Sequence, residues 1–77
     1  PNPFTSQTNI VFVTRAEKAK ISIFDQRGAE LQVLADRNFS EGEHTLVFDS
    51  TGLSAGNYYV RIITEDRQRT SSMVKVK

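Results

Sequence analysis

The sequence predicts an all-β fold, an antiparallel sandwich of six or seven short strands. Apolar residues recur with a period of two in several short segments. No stretch of any length shows the 3.6-residue period of a helix. Between the segments lie clusters of Gly, Asp, Asn and Ser at near-regular spacing, the punctuation of an antiparallel sandwich. With 77 residues the chain makes one domain, and its core is so small that apolar burial and the entropy lost on ordering come out nearly equal.

The opening Pro1-Asn2-Pro3-Phe4-Thr5-Ser6 reads as an extended lead-in, because each proline fixes φ and pushes the residue before it toward extended backbone. We therefore expect a lead-in over residues 1–7 and the sandwich over residues 8–77. Residues 8–13 are the first strand, with Ile10 and Phe12 on one face, Val11 and Val13 on the other, and both faces partly covered. Residues 18–25 alternate most cleanly and place Ala19, Ile21 and Ile23 inward,. Asp25-Gln26-Arg27-Gly28 then suits a tight turn in which Gly28 takes a positive φ, and Ala29, Leu31 and Val33 resume the alternation,. Residues 37–42 read as a polar turn, followed by a strand over 44–49 with Leu46 and Phe48 on one face. The glycine-containing loop 49–56 holds one apolar side chain, Leu53, expected to plug the end of the core,. The last hairpin sets Tyr58, Val60 and Ile62 inward, turns through 65–68, and ends on a strand whose inward residues are expected to be Val74 and Val76, leaving Lys75 and Lys77 outward,. Phe24 and Tyr59 fall opposite the inward set, as exposed aromatic surface.

Charged residues make up 25% of the chain and the formal net charge is +1. Acidic residues interrupt the basic ones throughout, so a nucleic-acid face is not expected. There is no cysteine and one histidine, His44, and no glycine-rich phosphate loop. No catalytic residue, cofactor or metal is expected. Asp25, Asp36 and Asp49 at strand ends read as turn and cap chemistry rather than calcium ligands. The start at Pro1, without an initiating Met, suggests a piece of a longer polypeptide with a partner domain upstream.

A patterned strand running to the last residue is unusual, since chain ends fray unless something ties them down. Arg61, Arg67, Arg69, Lys75 and Lys77 gather on the final hairpin. They form either a solvated face that guards a sheet edge or a basic docking face for an anionic partner. Gly56 reads as a position where a Cβ would obstruct the turn, and Tyr58 as a large apolar body whose hydroxyl reaches a loop carbonyl. Exposed edge strands also make a homodimer through strand pairing an expectation.

Four segments in series carry a resemblance: Pro1-Asn2-Pro3-Phe4, Ile23-Phe24-Asp25-Gln26-Arg27-Gly28, Leu53-Ser54-Ala55-Gly56-Asn57-Tyr58-Tyr59-Val60-Arg61, and the Lys75-Val76-Lys77 finish. Together they resemble a type A C-terminal sorting domain of the type IX secretion system, over essentially the whole chain. The resemblance implies a seven-stranded Ig-like sandwich at the end of a Bacteroidetes cargo protein. It also implies partners: the outer-membrane translocon, its shuttle proteins and, in many members, a sortase-like protease at the cell surface. By similarity Gly56 and Tyr58 fall on the glycine-x-tyrosine element and Gly28 on the turn glycine. Pro1 and Pro3 fall on the opening motif, Leu53 opens the loop motif, and Lys75, Val76 and Lys77 fall on the terminal recognition segment. Asn57 departs from the pattern, standing where a branched apolar residue is common. The competing expectation is an Ig-like spacer or carbohydrate-binding adhesion module appended to a secreted enzyme.

Overall fold

In a computed structural model the described residues are 4–77. They form six strands: β1 (Gln7–Thr14), β2 (Glu17–Asp25), β3 (Glu30–Phe39), β4 (Gly42–Asp49), β5 (Gly56–Ile63) and β6 (Gln68–Lys75). β1 and β4 pair as a two-stranded sheet, and the others form a four-stranded sheet in the order β3-β2-β5-β6. Every strand pairing is antiparallel. The two sheets enclose one core, so the all-β antiparallel sandwich stands, with six strands instead of about seven. A rudiment of a further strand is present at Phe4, which forms an isolated parallel bridge to Lys75.

β2 is the centre of the fold. Its alternating Ala19, Ile21 and Ile23 are buried as expected, at 1, 0 and 0% exposure, in one cluster with Tyr58, Val60 and Met73 of the same sheet and Phe12 and Phe48 of the other. The β2–β3 turn also follows the sequence: Gly28 has φ 87°, where a side chain costs energy. Its amide donates to Asp25 O at 3.0 Å.

Several expectations need correcting. The outward face of β1 is not covered, because Val11 and Val13 are 56 and 65% exposed; the small sheet has only one buried face. Along β3, Leu31 and Val33 are also exposed. The pairing with β2 slips between Ile21 and Ser22 and again between Ile23 and Phe24. An extra residue at each slip reverses the phase, and Leu34 and Ala35 pack on the core instead. Residues 37–39 belong to β3 rather than to a turn. Phe39 is buried, its ring 5.3 Å from that of Phe12 and 4.9 Å from that of His44. The lead-in is not a mere linker either: Phe4 is 5% exposed, with its ring edge-on to Phe48 at 5.9 Å.

Candidate functional site

The terminal strand is set by its hairpin. Ile63 pairs with Gln68 across the connection, and counting from there places Tyr58 opposite Met73 and Gly56 opposite Lys75. Residues opposite one another share a face, so Met73 and Lys75 follow the inward Tyr58. Both are 5% exposed, whereas Val74 and Val76 are 37 and 43% exposed. The expected division of the last strand is thus reversed. The valines face out, Lys75 faces in, and of the two lysines only Lys77 is exposed.

Burying an ammonium costs several kcal/mol unless it is well paired, and Lys75 is paired with loop backbone. Its Nζ donates to Ser50 O and to Leu53 O, each at 2.7 Å. Hydrogen bonds of this charged type are the stronger ones, each contributing about 1.5–3 kcal/mol. Ser50 is itself wholly buried and binds the lead-in, donating from its backbone N to Ser6 O at 2.8 Å and from Oγ to the same carbonyl at 3.1 Å. Tyr58 Oη donates to Ser54 O at 2.5 Å, the loop-carbonyl contact expected of it. Leu53 packs half-buried against the core, and its amide returns to Ser50 O at 2.9 Å.

Beside this network Phe4 closes the edge of β6. Its amide donates to Val74 O at 3.0 Å, and Val76 donates to Phe4 O at 2.8 Å. The terminal residues are therefore held on one side by the lead-in backbone and underneath by Lys75. Pro1 and Pro3 lie outside the described residues. A Cβ at Gly56 would obstruct nothing, contrary to expectation, since no atom lies within 4 Å of it; what demands glycine is a φ of 149°.

The loop carboxylates support the same end. Asp49 Oδ1 accepts from Thr51 Oγ1 at 2.7 Å and from Thr51 N at 3.0 Å. The Thr51 hydroxyl, then the Thr51 amide, and also the positive charge of Lys75 hold the Asp49 carboxyl below its ordinary value. Asp25 accepts from Ala29 N at 3.0 Å and Arg27 N at 2.9 Å; the Ala29 amide, followed by Arg27, lowers its pKa. Asp25, Arg27, Leu53, Ser54 and Tyr58 line an open groove of about 600 Å³ between this turn and the 52–56 loop.

The five basic residues do not form a stripe. Arg61 keeps the outward phase expected of it but lies over the Phe24 ring at 4.3 Å. Arg67 pairs with Glu17 at 2.9 Å. Arg69, opposite Ile62, shares the phase of Lys75 rather than that of Arg61. Phe24 and Tyr59 are registered partners on the outer face of the large sheet, each half-buried. His44 Nε2 donates to Ser40 O at 2.7 Å. Among the described residues no three His, Cys, Asp or Glu side chains gather as a metal would require, and no helix is long and apolar enough to cross a membrane.

Sequence reasoning missed Ser50, Phe4 and Met73. Met73 was findable: a four-residue connection between Ile63 and Gln68 fixes the phase of β6 from the phase of β5. Ser50 carries no signal in sequence, because its role depends on a lead-in more than forty residues away.

Over residues 1–77 the chain matches the family described as Secretion system C-terminal sorting domain. It is also similar to Karilysin of Tannerella forsythia, with 28% identity over 81 residues, covering 97% of this chain and 17% of that protein. The chain thus spans about a sixth of the length of this curated relative. No solved structure matches it. The chain belongs to the secretion system C-terminal sorting domain family.

Proposed function

We propose that, as a member of this family, the domain directs an upstream cargo protein across the outer membrane by the type IX secretion system to the cell surface, with the end of the sandwich that carries the chain terminus as the surface the machinery reads. One observation carries this reading. The described parts of all four sequence segments that resemble sorting domains meet at one end of the molecule: Phe4 and Lys75 as a bridge, Gly56 opposite Lys75, and the Asp25 turn with Leu53 and Tyr58 around one groove. They are distant in sequence; Phe4, Ile23 and Tyr58 meet through the core, whereas Gly28, Gly56 and the outward Val76 and Lys77 have no place in it. Gly56, Tyr58 and Leu53 shape the loop, Gly28 the adjacent turn, and Val76 and Lys77 are the outward terminal residues. The partners are the translocon and its shuttle proteins, and after transit a sortase-like protease that separates domain from cargo.

The test is a reporter fused ahead of Pro1 in a host with this secretion route. Removing Val76 and Lys77 keeps Lys75 and the core side chains but gives up the Val76–Phe4 bond, so removal of Lys77 alone accompanies it; surface delivery is expected to fall at least tenfold in both, and undiminished delivery overturns the reading. A second reading, a spacer or adhesion module that binds carbohydrate, is motivated by the half-buried Tyr59 ring on the outer sheet face; its partner Phe24 is covered by Arg61. Saturable glycan binding lost in Tyr59→Ala, with export indifferent to the truncation, would select it.

A further inference from the structure

We infer that Lys75 is a positioning residue rather than a receptor contact: its buried ammonium pins the 50–54 loop and, through Ser50, the lead-in, so that the machinery meets Val76 and Lys77 in a fixed place. The inference rests on the sorting reading above. Lys75 is 5% exposed, too enclosed for a partner to touch without unfolding the end of β6. Its ammonium donates to two backbone carbonyls, Ser50 O and Leu53 O, so its chemistry is spent inside the domain. A methionine or leucine would fill the same space but remove the ammonium donor from both carbonyls, leaving Ser50 O with the Leu53 amide. The basic residue at this position is thus explained by the loop it holds.

The coupling extends further than the loop. Ser50 joins three parts of the chain: its carbonyl accepts from Lys75, its amide and hydroxyl donate to Ser6 O, and its carbonyl also accepts the Leu53 amide. Phe4, two residues before Ser6, holds the backbone of Val74 and Val76. Lead-in, loop and terminus therefore form a closed circuit, and loosening Lys75 loosens all three. Val76 and Lys77 follow directly on this anchor.

Lysine acylation of the intact 77-residue chain tests the burial without any variant. Lys75 is expected to react at least tenfold more slowly than Lys77, and equal rates overturn the inference. Amide exchange and export are then compared in Lys75→Met and Lys77→Met. In Lys75→Met the Ser50 and Leu53 amides are expected to exchange at least tenfold faster while amides of the β2–β5 pairing keep their rates, and export falls. In Lys77→Met export falls with loop exchange unchanged. Loss of export in Lys75→Met with loop amides unchanged would make Lys75 a direct contact and overturn the inference. Equal acceleration of loop and central amides would make Lys75 a general stabiliser and overturn it too. A protected Lys75 beside export that ignores both substitutions would leave the anchor standing and sink the sorting reading instead.

Discussion

Asp25 and Asp49 perform the same task at two turns: a carboxylate oxygen gathers amide and hydroxyl donors two to four residues ahead and fixes the chain's reversal,. Because these donors favour the charged form, both groups titrate below the ordinary 3.8 in the folded protein. A carboxyl whose folded pKa is depressed adds stability that is fully present above its unfolded value and is lost as pH falls through the folded one. Stability is therefore expected to be level from neutral pH to a little above 4, then to fall as acidity increases below 3.8. Asp25→Asn combined with Asp49→Asn keeps the Oδ1 acceptors and removes the titration. Thermal midpoints at neutral and strongly acid pH should converge for this double variant more than for the parent; an equally steep acid loss in both would remove these two turns from the explanation.

At the scale of the strand, what the sequence discloses depends on how many neighbours fix a segment's phase. β2 lies between β3 and β5, is buried on its core face, and shows its inward set directly as Ala19, Ile21 and Ile23. β6 is an edge strand with a neighbour along only part of its other side, so apolar residues occur in both phases and Val74 and Val76 advertise the wrong one. β3 misleads for another reason: the two slips against β2 insert residues that no local pattern announces. The candidate site was legible as sequence segments, and Tyr58 as a hydroxyl donor to its loop, but the inward turn of Lys75 follows from register and the role of Ser50 from a distant contact. The phase assignment has a direct consequence. Met73→Ala should cost about 2–5 kcal/mol, as buried large-to-small changes do, whereas Val74→Ala on the exposed phase should stay within about 0.5 kcal/mol. Urea denaturation of the two variants decides it, and the opposite order would restore outward Met73 and inward valines.

For the whole molecule, the question is how so small a sandwich closes. The two sheets differ in size, two strands against four, and the smaller exposes Val11, Val13 and Val47 on its outer side, so the fully buried apolar side chains all belong to one interior. Phe4 joins the two sheets: its ring packs on Phe48 of β4 while its backbone bonds to β6 of the larger sheet. Domains have only about 5–15 kcal/mol of net stability, and a Phe→Ala change in a core typically removes about 3–5, so this lead-in residue is expected to hold a large fraction of the total. Phe4→Ala should lower the urea midpoint by an amount comparable to a change in the centre of the core. It should also speed amide exchange at Val76, whose donor bond to Phe4 O survives the substitution chemically but loses the packed ring that keeps it in place. A midpoint within about 0.5 kcal/mol of the parent, the scale of an ordinary surface change, would mean that the sandwich closes without its lead-in. The terminus would then have to be held by Lys75 alone.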